Sequence, residues 1–258
     1  MRIVLLAVDD EFAGEIQKPL YDAHPDWVVG SVISTCMIYK RSKVGGALFT
    51  LRKSGLRFLM EMVHMKIVRL FVDKEKKYRP TQLAQQHGVE QFLSADINDP
   101  ASIAKLKSWN PDIIISTNFS HYVGKTVRES IASYGCWNLH KSLLPQYRGM
   151  APSFHALLEG TTTVGATLHV LAKGFDTGDL LAQVKVPVTA SDTVYSLNRR
   201  TSVAGGKLMA KFLEGYDPQM TKAVAQPAGD WKNYTYPTRA EVKAFLKKGL
   251  RFYRAVNE

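Results

Sequence analysis

The run RIVLLAV at residues 2–8 is unbroken, aliphatic and rich in β-branched residues, and the acidic turn Asp9-Asp10-Glu11 closes it. An amphipathic stretch at residues 12–23 follows, so the pattern reads strand, loop, helix. WVVGSVIS at 27–34 and DIIIST at 112–117 repeat the theme, the latter after a helical stretch at 101–109. Strands that are apolar throughout, rather than alternating, are buried on both faces. Interleaved with helices, they predict parallel βαβ units in a sheet covered on both sides.

The rhythm continues beyond Pro111. A helix is expected at 123–132, a short strand at 136–139, and a loop at 141–150 that contains Pro145 and Gly149. Pro152 opens the next helix, which runs to about residue 159. Strands at 164–171 and 180–188 flank the loop 173–179. Ser191 or Asp192 is the expected cap of a long helix over 193–213. The tail carries Trp231, Tyr234, Tyr236 and Pro237, then a basic segment at 239–251, and reads as an ordered extension ending in a short helix.

Length and composition fit one large domain with an appendage: 258 residues, 45% apolar and 22% charged, enough to bury a substantial core. A net charge of +11 favours anionic partners such as nucleic acid, a polyglutamate tail, a nucleotide-linked substrate or an anionic membrane surface. The basic residues spread along the chain, with concentrations at 40–43, 74–79 and 247–254, which equally describes a solvated basic surface. Cys36 and Cys136 stand far apart without CxxC spacing, so neither a disulfide framework nor a thiolate metal site is expected, and a reducing cytoplasm is the expected compartment. Asp9, Asp10 and Glu11 interrupt the first apolar run too early for a signal peptide.

Residues 38–71 are the unusual segment. Lys40, Arg41, Lys43, Gly45 and Gly46 precede apolar residues at mostly helical spacing: Leu48, Leu51, Leu56, Leu59, Met60, Val63, Ile67 and Leu70. The spacing predicts a basic loop and one or two helices whose stripe faces the core. A membrane-surface or homodimer contact is the alternative use of such a stripe, without stable insertion into a membrane.

Two clusters carry candidate chemistry. Asn138 and His140 lie two apart at a strand end, so their side chains point the same way and converge. An amide can hold a developing oxyanion while an imidazole moves protons, a usable pair for acyl transfer. In open α/β sheets the carboxyl ends of strands are where ligands bind. The second cluster is Gly174-Phe175-Asp176-Thr177-Gly178-Asp179. Its glycines permit backbone conformations closed to other residues, and Asp176 is suited to orient an imidazole, hold a water or simply bond its own turn. Spacing alone does not bring Asp176 to His140. The histidines show no HxxxH or Cys-His ligand spacing, so no metal is expected, and His121 and His155 read as satisfied structural residues near the site.

The run Asn138-Leu-His140-Lys-Ser142-Leu-Leu-Pro145-Gln-Tyr147-Arg148-Gly149, with Gly174-Phe-Asp176-Thr-Gly178-Asp179 at the expected separation, resembles the signature of the N10-formyltetrahydrofolate-dependent formyltransferase family. That family includes methionyl-tRNA formyltransferase, glycinamide ribonucleotide transformylase and aminosugar N-formyltransferases. The likeness is strong from about residue 111 to 213. It implies a Rossmann-like α/β fold, a mostly parallel twisted sheet with helices on both faces, in a catalytic domain over 1–213. The helical insertion at about 38–71 and an extension at 214–258 packed on the core complete the expected organisation. The resemblance further implies catalytic Asn138, His140 and Asp176. It implies a folate pocket at Phe119, His121, Tyr122, Val123, Ala172, Gly174, Phe175 and Asp179, and acceptor contacts from Asp9, Asp10, Ser142, Tyr147 and Arg148.

The acceptor implied is a small-molecule primary amine of aminosugar or amino-acid type. Acidic residues stand where glycinamide ribonucleotide transformylase has a Gly-rich phosphate loop, which disfavours that substrate. The roughly forty residues after Leu213 are too few for the C-terminal β-barrel of methionyl-tRNA formyltransferase, so tRNA is the weaker expectation, kept open by the positive charge. A formyltetrahydrofolate hydrolase would share the same three residues. So would a scaffold protein that kept the fold and lost the activity, but decay has no reason to spare all three.

Overall fold

The computed structural model describes residues 1–36, 38, 40–41, 43–72 and 78–254. The basic stretch at 74–77 and the side chains of Lys43 and Leu70 lie outside the described residues. The chain runs β1 (Ile3–Val8), α1 (Glu11–Ala23), β2 (Val28–Ser34), α2 (Lys43–Val72), α3 (Pro80–Gln86), β3 (Gln91–Ser94), α4 (Pro100–Ser108) and β4 (Ile113–Thr117). It continues with α5 (Lys125–Ser130), β5 (Cys136–His140), β6 (Arg148–Gly149), α6 (Pro152–Glu159), β7 (Thr163–Val170), β8 (Leu180–Pro187), α7 (Val194–Glu214), β9 (Asn233–Tyr234) and α8 (Arg239–Lys247).

Seven strands form one sheet in the order β3-β2-β1-β4-β5-β7-β8. The pairs from β3 to β5 are parallel, and β7 and β8 add antiparallel. The expected α/β class and mostly parallel sheet are thus what the chain builds. Alternation along β1 explains its unbroken apolar run. Ile3 and Leu5 join a core with α1 and α7 residues such as Ile16, Leu20, Met209 and Leu213, while Val4 and Leu6 meet Ile97, Leu106 and Trp109 on the other face. Helix α7 approaches closely enough that a Cβ on Gly206 would lie 2.5 Å from the Ile16 carbonyl oxygen. Its cap is Thr193, not Ser191 or Asp192: the Thr193 hydroxyl accepts from Ser196 N–H, and Asp192 instead accepts from the Ser196 hydroxyl. Strand β3 is not legible in the sequence, because a four-residue edge strand with Gln91 and Leu93 exposed carries too little pattern.

The expectation for the insertion is half met. Two helical halves form, meeting at Gly55, whose φ of +86° suits only glycine. The stripe, however, does not face the core. Leu48, Leu56, Met60, Val63 and Ile67 are all exposed, Leu56 at 61%, while Ser54, Gly55 and Phe58 are the buried ones among the described residues of the helix. The reason lies in the sequence of the second half, which is apolar on nearly every side, so spacing reveals a stripe without saying which one is covered. Phe58 and Met62 join a third cluster with Phe154, Val242, Phe245 and Phe252, which ties α2 to α6 and α8. Strand β9 pairs with β6 in the loop after β5, so residues from the tail reach the ends of the central strands.

Candidate active site

Sheet register assembles the first half of the site. Asn138 stands between Ser116 on β4 and His169 on β7. The Ser116 hydroxyl donates to Asn138 Oδ1 at 2.6 Å, which turns the amide nitrogen the other way. His169 donates through Nδ1 to the Val170 carbonyl at 2.9 Å, leaving Nε2 to accept from Asn138 Nδ2 at 3.1 Å. Asn138 Nδ2 also points at Asp176 Oδ1, at a longer 3.4 Å. Donation to a developing oxyanion therefore needs only that weaker contact to be released.

The loop between β7 and β8 brings in Asp176. Its carboxylate accepts from Gly149 N–H at 2.7 Å and lies 3.5 Å from His140 Nδ1 and from His169 Nε2. The left-handed residue in this loop is Asp176 itself (φ +51°), whereas Gly174 and Gly178 adopt no conformation barred to other residues. Gly178 is required for space instead: a Cβ there would fall 1.8 Å from the Val170 carbonyl oxygen. Gln226 of the tail holds the loop by donating to the carbonyls of Asp176 and Gly178, each at 2.8 Å, and is itself held by Arg148. Asn118, Tyr147 and Ala151 also hold left-handed backbone nearby (φ +53°, +54° and +53°), a concentration of strain typical of functional sites.

Charge follows from these contacts. Burial alone would raise the Asp176 carboxyl, but a proton on either neighbouring imidazole, His140 or His169, together with the Gly149 N–H, outweighs it and holds the group well below the usual carboxylate range. His140 donates through Nε2 to the Tyr147 carbonyl at 2.9 Å. Burial pushes its pKa below the ordinary value despite the opposing pull of Asp176 and that carbonyl, so the ring is neutral near pH 7 with the Nδ1 lone pair beside the carboxylate. A proton arriving on Nδ1 would be stabilised there by Asp176.

Asn138, His140 and Asp176 line one cavity of about 630 Å³ at the carboxyl ends of the central strands, inside the ~300–1,000 Å³ range of small-molecule sites. The folate candidates Phe119, His121, Tyr122, Val123, Ala172, Gly174 and Phe175 all line it too, while the Asp179 side chain does not. Buried Arg128 bridges the two segments, donating to the carbonyls of Val123 and Ala172 and to the Tyr122 hydroxyl. His121 is satisfied by Ser34 Oγ and Ile97 N–H, and His155 by the Thr235 carbonyl.

Of the acceptor candidates only Asp10 reaches the cavity. Asp9 accepts from Arg79 and Thr81, Ser142 donates to the Gln146 carbonyl, and Arg148 grips Gln226. Tyr147 contributes its carbonyl to His140 while its ring packs on Tyr234. Phe58, Met62 and Met65 of α2, with Tyr236 and Phe252 of the tail, form an apolar wall that motif reading does not reach. Among the described residues no group of three or more His, Cys, Asp or Glu can hold a metal, and no helix is long and apolar enough to cross a membrane.

A family model described as formyl transferase matches residues 61–213. The chain belongs to the formyl transferase family. A methionyl-tRNA formyltransferase of Geobacillus sp. (strain WCH70) is 34% identical over 144 residues, 56% of this chain and 44% of that protein. The chain spans about half the length of the curated relatives it matches. Two solved structures share the family's fold at 17% identity. Glycinamide ribonucleotide transformylase 1 from Symbiobacterium toebii superposes with a TM-score of 0.58, covering 88% of this chain and 94% of its own. The N-formyltransferase from Helicobacter canadensis, solved with folinic acid and dTDP-3-aminofucose, gives 0.59, covering 92% and 71%.

Proposed function

We propose that the chain transfers a formyl group from N10-formyltetrahydrofolate to a primary amine of a small molecule of aminosugar or amino-acid type. The observation that carries this reading is the convergence of Asn138, His140 and Asp176 within 3.5 Å contacts on the wall of a cavity large enough for a pterin and an amine. Residues 1–213 supply the reacting groups and 214–258 hold the Asp176 loop through Gln226.

In this reading the pterin lies between residues 119–123 and 172–176. The acceptor nitrogen bonds to the formyl carbon, and the carbonyl electrons move onto oxygen, where the Asn138 amide stabilises the charge and the His140 imidazolium adds to it once formed. His140 Nδ1 takes the proton that the amine sheds, with Asp176 balancing the imidazolium. Collapse of the intermediate breaks the carbon–N10 bond, and N10 receives the proton as tetrahydrofolate leaves.

A methionyl-tRNA acceptor is the second reading, favoured by the 34% identity to a methionyl-tRNA formyltransferase and by the net charge of +11. Incubation with formyltetrahydrofolate and, separately, nucleotide aminosugars, amino acids and initiator methionyl-tRNA distinguishes them by which acceptor gains one formyl mass. Formate release without any amine identifies a hydrolase. No formyl transfer and no formate in any arm would reject the reaction.

A further inference from the structure

The proposed reaction leaves one polar cluster on the cavity wall unused. Strands β1, β4 and β5 lie side by side, and Asp10, Asn118 and Lys141 stand just beyond their carboxyl ends. From β1 the chain goes outward to β2 on one side and later returns to β4 on the other. The strand order reverses here, which is where open α/β sheets take their ligands.

Asn118 is the bridge. Its Nδ2 donates to Asp10 Oδ2 at 2.6 Å and its Oδ1 accepts from Lys141 Nζ at 3.2 Å. Asp10 is fully engaged by the protein, because its other oxygen accepts from Ala13 N–H as the cap of α1. Lys141 is not. Its ammonium has one hydrogen-bond acceptor among the described residues, Asn118 Oδ1, and the Phe12 ring at 5.1 Å on another side. An ammonium carries three N–H donors, which leaves donors to spare beside the cavity that Asp10, Phe12, Asn118 and Lys141 line together. Burial pushes this lysine down to about 8 against the opposing pull of Asp10, as expected for a cation short of partners.

We propose that Lys141, oriented by Asn118, anchors an anionic group of the acceptor, a carboxylate or phosphodiester carrying a single charge at the contact. The inference rests on the formyl-transfer reading for the identity of the ligand as acceptor. A single charge fits better than a dianion, because the Asp10 carboxylate on the far side of Asn118 repels a second one. The site orients the acceptor through its anion, and so selects amines that carry one.

The test reads binding and turnover separately. In the chain labelled with 13C at the lysine ε carbons, Lys141→Arg identifies the Lys141 signal. Acetate and dimethyl phosphate are then titrated in turn below about pH 8, where Lys141 holds its proton. A saturable shift of that signal, with its titration midpoint moved upward by the bound anion, is the expected result. Response to acetate alone selects a carboxylate acceptor, and response to dimethyl phosphate alone a phosphodiester. No response to either overturns the site, even if formyl transfer proceeds in the same preparation. For the acceptor found by formyl mass gain, Lys141→Met should raise KM roughly tenfold to a hundredfold, the loss of one charge-assisted hydrogen bond. A neutral analogue of that acceptor should show no such difference between the two proteins, and an equal KM rise for the analogue would also overturn the assignment. Failure of all formyl transfer with the Lys141 response intact would instead reject the reaction while leaving the anion site standing.

Discussion

One cavity has two walls built on opposite principles. The strand-end wall is polar and interlocked: Asn138, His140 and Asp176 each touch several partners whose positions are set by register, by Gly149 and by Gln226. The facing wall, from Phe58, Met62 and Met65 of α2 with Tyr236 and Phe252, is apolar, and its requirement is volume rather than atom-by-atom pairing. Where each polar atom has a partner, a single substitution strands another group; where a wall only excludes water, a similar-sized side chain can replace another. The first wall should therefore fail through chemistry and the second through packing.

The largest effect expected on the polar wall is kinetic. His140→Ala and Asp176→Ala should each lower formyl transfer by roughly 10²–10⁴-fold, the usual worth of a positioned proton-transfer or oxyanion group. Circular dichroism should show both variants folded. Near-normal turnover in either would break the assignment of that residue to the reaction.

On the apolar wall the largest effect should be on stability. Phe58 is 6% exposed and packs edge-on against Phe252 with ring centroids 5.5 Å apart. Phe58→Ala should cost about 3–5 kcal/mol by urea denaturation, since it removes a large buried ring and leaves a hole between α2 and the tail. A cost under about 1 kcal/mol would mean that α2 does not seat on the third cluster, and the two-wall picture would lose one side.

Acid titration sharpens the contrast further. Asp176 has its folded pKa depressed below the ordinary 3.8, so its contribution to stability is complete above that value and is lost as pH falls through the lower folded pKa. Asp176→Asn should flatten the fall in stability below pH 3.8 while Phe58→Ala should leave its slope unchanged. Chemical denaturation at a series of acid pH values measures both.

The same contrast explains what could be read from the chain alone. Apolar runs such as RIVLLAV predict doubly covered strands because burial of both faces leaves no alternation. Asn138 and His140 were legible because their relation is local, two residues on one strand. His169 was not: it reaches Asn138 through the antiparallel pairing of β7 with β5, and a one-residue change of register would turn it away. Gln226 lies 50 residues from Asp176 and acts through a tail whose path no periodicity encodes. Lys141 sits inside the recognised motif, yet its partner Asn118, and the Asp10 that Asn118 bonds in turn, come from the ends of two other strands. For α2, hydrophobicity on nearly every side erased the distinction between core and surface.

The smallest expected effect tests that last point. Leu56, Met60, Val63 and Ile67 lie along the outer side of α2, from 49% to 61% exposed. A side chain already in water loses little transfer free energy when shortened, so Leu56→Ser or Met60→Ser should change stability by no more than about 0.5 kcal/mol. If each instead costs about 2 kcal/mol, as a buried leucine would, the outer face is covered in solution and the two faces of α2 no longer differ. Phe58→Ala and Leu56→Ser measured in one denaturation series then decide which face the protein needs, since the two positions are two residues apart and nearly opposite on the helix.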